Sequence, residues 1–251
     1  KASTSARQRS IYRNSGTNLT DRSVKLKRVL GGMCAPFLKE SRDRCVILIY
    51  HSVDGGPFSI CRENFRDQIA WLAEYADIVS LDEILNDCDA LAKGCRKKVV
   101  LTFDDGYRSL FDTVAPILSE YGAVATVYLN TGWIGKAERK ASDATLGHYE
   151  GEQFLIWEEV ELLRQAGWNI GSHGVNHLDL TARSSKEVQQ ELVRSKLDIE
   201  DRLEQSCQHF AYTWGRFTPL LQQAVRAAGY VSAVSGLHGP VQANSNLFAL
   251  P

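Results

Sequence analysis

Two adjacent carboxylates, Asp104 and Asp105, follow the apolar run Lys98-Val99-Val100-Leu101-Thr102-Phe103 and precede Gly106-Tyr107. Such a run reads as a buried parallel strand, so the pair sits where a strand opens into a loop. Successive strand residues face opposite sides, so the two carboxylates need not share one task. Charge at the mouth of a buried strand is costly unless something compensates it, and a metal ion is one candidate. Asp-Asp-Gly equally fits a polar turn that caps a following helix. Farther along, Trp168-Asn169-Ile170-Gly171-Ser172 reads as a strand that runs into His173-Gly174-Val175-Asn176-His177. Two imidazoles and one carboxylate are a common divalent-metal set that leaves positions open for water and substrate. Histidines also serve as surface groups or as satisfied core groups. Here four of the six histidines lie at or near strand ends or in one long polar stretch, and two are spaced for joint ligation. The metal reading is therefore preferred. His51, after the apolar run Cys45 to Tyr50, stands at a third strand end.

The elements that must hold these groups alternate. Cys45 to Tyr50 reads as a first buried strand and Phe65 to Tyr75 as a helix, its Phe65, Ile69 and Leu72 falling on one face. Ile78 to Ser80 is a short strand, with Ser80 capping a helix from Leu81 to Leu85. After the Asp-Asp strand come a helix from Ser109 to Tyr121 and a strand from Val124 to Leu129. The polar stretch Asn130 to Gln153 is long for a structureless loop; it is either a functional lid or hides a small element. A helix from Trp157 to Ala166, closed by Gly167, leads to the His173 strand. A long helix from Ser184 to Leu203, a strand from His209 to Tyr212, a helix from Thr218 to Ala228 and a strand from Tyr230 to Val234 complete the series. Leu247 to Pro251 resembles one further strand. At least six strand–helix alternations without a dinucleotide Gly-rich fingerprint predict a parallel sheet, open or closed into a barrel. In such architectures chemistry gathers at the carboxyl ends of the strands.

Composition narrows the partners. With 251 residues, 44% hydrophobic and 24% charged, the chain can bury an ample core. A formal net charge of −1 provides no basic field for nucleic acid, and no apolar stretch approaches a membrane span. Residues 1–25 read as a loose polar arm and Val24 to Leu38 as a short leading helix; residues 1–10 lack the apolar core of a signal peptide. None of the six cysteines forms a Cys-x-x-Cys pair, which disfavours a zinc ribbon or thioredoxin-type site; read as six reduced, mostly buried thiols, they mildly favour a reducing compartment. Cys88 and Cys95 are close enough in sequence to meet across a short loop.

Thr102-Phe103-Asp104-Asp105-Gly106-Tyr107 together with Ser172-His173-Gly174-Val175-Asn176-His177 resemble the first two motifs of the polysaccharide deacetylases with the NodB homology domain, carbohydrate esterase family 4. Tyr50-His51-Ser52-Val53, Thr131-Gly132-Trp133-Ile134-Gly135 and Phe210-Ala211-Tyr212-Thr213-Trp214-Gly215 resemble the branch that deacetylates poly-N-acetylglucosamine. The resemblance covers roughly residues 45–250. It implies a distorted (β/α)7-type barrel of parallel strands, with residues 1–44 as an arm and leading helix and 45–251 as the catalytic domain. It further implies that Asp105, His173 and His177 bind a divalent metal, usually zinc, with Co2+, Ni2+ or Fe2+ as other occupants. Asp104 would be the general base, and the main-chain N–H of Tyr107 would help hold an oxyanion. The substrate would be an N-acetylated amino sugar of a polysaccharide or a lipid-linked sugar. The branch points to the cell envelope; the missing signal segment and the free cysteines lean to the cytoplasm as the alternative.

The sequence departs from the family where the leaving amine needs its proton. The family's C-terminal Leu-x-His is not matched comfortably, since His238 in Gly236-Leu237-His238-Gly239 precedes the final strand. His51 is the preferred acid because its strand should open on the same barrel face; the other reading is that it simply caps a strand end. Thr213 stands where the family has proline. Tyr212 and Trp214 could stack on a pyranose and Arg216 reach a carboxylate or hydroxyl, or the two aromatics could be core. Trp133, His148 and Tyr149 could cover the groove. The alternatives are a deformylase or O-acetyl esterase on a lipid-linked sugar, a non-sugar amidase, and a catalytically silent glycan-binding relative. A non-haem iron oxygenase shares the two-histidine, one-carboxylate set but gives Asp104 no role.

Overall fold

The computed structural model describes residues 45–55, 59–86, 96–136, 147 and 151–251. The arm, the leading helix, Cys88, Cys95, His148 and Tyr149 lie outside the described residues. Seven parallel strands form one sheet: β1 (Cys45–Tyr50), β2 (Ala76–Ile78), β3 (Lys97–Phe103), β4 (Thr126–Leu129), β5 (Asn169–Ser172), β6 (His209–Ala211) and β7 (Ser232–Val234). The spatial order is β1-β3-β4-β5-β6-β7. One edge of β3 pairs with β1 along its length; the other holds β2 at Lys97 to Val99 and β4 at Thr102 and Phe103. The C-terminal segment bridges the two ends of the sheet, Val241 to Cys45 and Leu250 to Val234. This is the distorted NodB-type barrel of parallel strands that the resemblance implied.

The strand alternation sorts side chains into two layers. Val99, Leu101, Phe103, Val127, Leu129, Ile170, Phe210 and Ala233 face outward, under the helices, in the larger core. Cys45, Ile47, Val100, Tyr128, Ala211 and Val234 face inward and fill the base of the barrel. Gly171 lies under the Tyr128 ring; a Cβ there would be 2.5 Å from that ring, so the interior is closed by an aromatic over a glycine. At ~25 cal/mol per Å2 of apolar surface, each fully buried Phe or Leu of these layers contributes roughly 2–3 kcal/mol.

Helices α1 (Arg62–Tyr75), α3 (Ala115–Glu120), α4 (Trp157–Gln165), α5 (Ser185–Leu203) and α6 (Pro219–Ala227) cover the outer face, whereas α2 (Leu81–Asn86), between α1 and α3 in the chain, packs its Leu81 and Ile84 into the inward-facing cluster at the base of the barrel. α5 starts in a reciprocal cap, in which Ser184 Oγ accepts from Glu187 N at 3.3 Å and Glu187 Oε2 accepts from Ser184 N at 3.0 Å. Two boundaries differ from the sequence reading. The strand expected at Ile78 to Ser80 is Ala76–Ile78, because Ser80 Oγ already accepts from Glu83 N at 3.1 Å as the cap of α2. The helix expected from Ser109 begins as a wide π turn, Leu110–Val114, whose closing bond runs from Ala115 N to Leu110 O. Pro116 has no N–H for an α bond to Asp112 and crowds that carbonyl, which the wider turn relieves. The stretch after β4 hides a small paired element: Gly135 N donates to Leu155 O at 2.6 Å and Phe154 N to Lys136 O at 3.3 Å. No helix among the described residues is long and apolar enough to cross a membrane.

Candidate metal centre and cavity

A cavity of about 320 Å3 opens at the carboxyl ends of the strands. Ile49, Asp104, His173, Ala211 and Val234 line it as the uppermost inward residues of β1, β3, β5, β6 and β7 or the positions just after them. Register levels the groups. β1 and β3 pair Tyr50 with Phe103, so His51 and Asp104 leave the sheet side by side, with Asp104 N donating to Tyr50 O at 3.0 Å. β4 and β5 pair Leu129 with Ser172, so Asn130 and His173 emerge together, with His173 N donating to Leu129 O at 2.8 Å.

Asp105 is the exception to alternation. Following Asp104, it should point away from the barrel interior. Its φ of 72° and that of Gly106, 80°, turn the chain back, and the carboxylate enters the cavity. A Cβ at Gly106 would be 2.8 Å from Leu129 Cδ2, so this turn requires glycine. Of the five described non-glycine residues with positive φ, three (Asp105, His177 and Trp214) line the cavity. Such conformations cost ~1–3 kcal/mol each and concentrate where a fold holds functional groups.

Asp105 Oδ1 lies 3.6 Å from His177 Nε2 and 3.9 Å from His173 Nε2, and the three donor atoms lie within 4.8 Å of one another. All three residues are buried. His173 Nδ1 lies 2.8 Å from the Ala211 carbonyl and donates to it, which leaves Nε2 with its lone pair toward the cavity. Burial, with the neighbouring His177, lowers the His173 pKa to about 3, so the ring is neutral at physiological pH. Two imidazoles and a carboxylate at these separations suit a metal with ligand bonds of about 2.0–2.1 Å and tetrahedral angles, for which donors stand roughly 3.4 Å apart. Asp104 Oδ1 is buried without a hydrogen-bond partner, an orphan that a bound group or water would satisfy. Burial raises the Asp104 carboxyl to about 7; His51 opposes the rise and Asp105 adds to it. Asn130, which no sequence motif singled out, donates from Nδ2 to Asp105 Oδ1 at 2.8 Å. Its signal was its position, a polar residue directly after a buried strand.

The remaining sequence candidates divide. His51 lines the cavity. Trp214 lines it too, 47% exposed, with its ring centroid 5.1 Å from that of His177. Tyr212 borders the cavity, but its ring stacks on Phe217 and its hydroxyl donates to Phe248 O at 2.9 Å, so it is also a core residue. Arg216 is not brought to the cavity; its Nη1 is held by Asp179 Oδ2 at 2.7 Å. The Tyr107 side chain is buried against Phe154, with ring centroids 5.2 Å apart, and Trp133 packs on the same ring. Tyr107 is not among the residues that line the cavity, and its main chain follows directly on the Asp105-Gly106 turn.

A parallel barrel with an Asp-His-His cluster at its carboxyl end defines a class, and residues 92–233 match the family model described as polysaccharide deacetylase. The chain belongs to the polysaccharide deacetylase family. It is 27% identical over 207 residues to the protein YxkH of Bacillus subtilis (strain 168), spanning 81% of this chain and 68% of that one. It is 22% identical over 204 residues to the poly-beta-1,6-N-acetyl-D-glucosamine N-deacetylase of Staphylococcus aureus, spanning 77% of this chain and 67% of that one. Among solved structures, the Streptococcus pyogenes deacetylase PplD in complex with acetate superposes with a TM-score of 0.70 at 25% identity, covering 81% of this chain and 88% of its own. IcaB from Ammonifex degensii superposes at 0.66 and 22% identity, covering 77% and 84%.

Proposed function

We propose that the protein is a metal-dependent hydrolase that removes N-acetyl groups from amino sugars of a polysaccharide or glycolipid, with residues 45–251 as its catalytic unit. The observation that carries the reading is the convergence of Asp104, Asp105, His173 and His177 on one cavity. A divalent ion, zinc foremost, held by Asp105, His173 and His177 would supply Lewis acidity, drawing charge from the acetyl carbonyl and easing loss of a proton from water. Asp104 takes that proton. Its carboxyl, raised to about 7, is matched to general-base work near neutrality. The Tyr107 main-chain N–H donates to the developing oxyanion. His51, level with Asp104, gives a proton to the leaving amine. Trp214 offers an exposed aromatic face to the sugar ring at the cavity mouth. The likeness to a poly-beta-1,6-N-acetyl-D-glucosamine N-deacetylase supports an N-acetylglucosamine polymer as the first substrate to try.

The test is elemental analysis of the purified protein beside His177→Ala, followed by acetate release from oligomers of β-1,6-linked N-acetylglucosamine. Near-stoichiometric metal in the wild type, lost in the variant together with acetate release, is the expected result. Absence of metal in both, even after zinc is added, would remove the hydrolase reading.

A further inference from the structure

Both histidines of the cluster belong to one five-residue loop, His173 to His177, and a helix outside the barrel grips the middle of it. Glu191, on α5, is 6% exposed. Its Oε2 accepts from Val175 N at 2.8 Å and Asn176 N at 2.9 Å, and its Oε1 accepts from Asn176 Nδ2 at 2.7 Å. All three bonds land on residues between the two histidines. The opposite side of the loop is held as well: Thr131 N donates to Gly174 O at 3.1 Å and Gly132 N to Val175 O at 2.9 Å. Gly174 has φ 82°, and a Cβ there would be 3.1 Å from Glu191 Oε2, so the carboxylate packs tightly against the loop backbone.

The grip extends along α5. Glu191, Ser195 and Asp198 are spaced i, i+4 and i+7 and share one helix face. Ser172 Oγ, at the end of β5 just before His173, donates to Ser195 Oγ at 2.7 Å. Thr131 Oγ1 donates to Asp198 Oδ2 at 3.0 Å, and Thr131 follows Asn130, the partner of Asp105. One helix face therefore reaches the supports of all three donors.

We infer that Glu191 is a positioning residue: its two carboxylate oxygens set the His173 to His177 loop so that both Nε2 atoms face Asp105. This rests on the metal reading proposed above. A buried carboxylate satisfied by three N–H donors fixes the loop more firmly than a neutral acceptor, because charge-assisted bonds are about twice as strong. An amide in its place would set an NH2 group against a donor.

The experiment compares wild type, Glu191→Gln and Asn176→Ala by zinc affinity in competition with a chromophoric chelator, by the visible spectrum of the Co2+ form, and by thermal unfolding without metal. Glu191→Gln is expected to weaken zinc by about 10- to 100-fold, the range for lost partners of metal ligands, and to alter the Co2+ spectrum. Asn176→Ala, an exposed site that gives up one of the three bonds, is expected to weaken zinc several-fold with its fold intact, and decides the matter if Glu191→Gln does not fold. Zinc affinity and Co2+ spectra equal to wild type in the folded variants, with only the unfolding temperature lowered, would reduce Glu191 to a structural tether and overturn the inference. A wild type that binds no zinc would overturn the metal reading and this inference together; bound zinc with unchanged variants overturns this one alone.

Discussion

Replacing Asp104 by asparagine should stabilise the metal-free protein at alkaline pH while removing most of the turnover. The carboxyl is buried, one of its oxygens has no partner, and its pKa is raised from 3.8 to about 7. Above pH 4 the unfolded chain has lost this proton while the folded chain keeps it up to about pH 7. The folded state thus binds more protons across that window, and stability falls as pH rises through it. A gap of about 3 pH units corresponds to ~4 kcal/mol, fully lost above pH 7. His173 acts with the opposite sign. Its pKa is lowered from 6.5 to about 3, so between those values the unfolded chain binds the extra proton and stability rises with pH. In the wild type the two nearly cancel; asparagine removes the first and exposes the second. The difference in stability between variant and wild type should therefore grow by ~4 kcal/mol from pH 4 to pH 8, or roughly 10 °C in unfolding temperature for a fold of this size. Thermal unfolding followed by circular dichroism in the presence of a chelator reads it directly. The zinc-loaded variant should keep its metal and lose about 100-fold or more in acetate release. A temperature difference that does not change with pH would refute the raised carboxyl. Loss of metal rather than turnover would mean that the roles of Asp104 and Asp105 are reversed.

Other outcomes follow from the same geometry. His51→Ala should keep the metal content and slow acetate release by about 100-fold; full activity would remove this group from the mechanism. Trp214→Ala should raise KM for oligosaccharides by roughly 3- to 10-fold with little change in kcat, the loss expected for one aromatic stacking partner. Arg216→Ala should change either constant less than about 2-fold, because its guanidinium is already held by Asp179 at the surface. A larger loss would show that Arg216 leaves Asp179 for the substrate. Tyr212→Phe should cost ~1 kcal/mol of stability through the lost bond to the Phe248 carbonyl and leave kcat unchanged, measured by urea unfolding beside steady-state kinetics.

The local pattern carried much of this protein. Apolar runs of four to seven residues ending in polar groups specify strands that open together at one end of a parallel sheet. That rule located His51, Asp104 and His173 before any contact was known. The Ser80 cap and the serine at 184 or 185 marked helix starts, because a side-chain oxygen accepts from a backbone N–H three residues on; the structure seats the second cap on Ser184 and adds Thr218 as a third. Pro116 was equally visible, but whether its helix would kink, stop or widen depends on neighbouring turns, and the wide turn at Leu110–Val114 was not foreseen.

Alternation along β3 told from sequence only that Asp104 and Asp105 point to opposite faces; the tertiary structure brings Asp104 and His173 to one cavity. Alternation could not determine that Asp105 joins them, since the same rule sends Asp105 outward. A left-handed turn through Asp105 and Gly106 reverses it, and that turn is held by packing against Leu129 and by a bond from Leu155 N to Gly106 O at 2.9 Å. The fates of Tyr212 and Arg216 were likewise tertiary. Phe248 and Asp179 claim them from 36 and 37 residues away in sequence, and a chain read locally carries no record of contacts at that range. Glu191 makes the same point: on the sequence it is one polar residue of a polar-faced helix, and only the packing of α5 against β5 turns it toward the histidine loop.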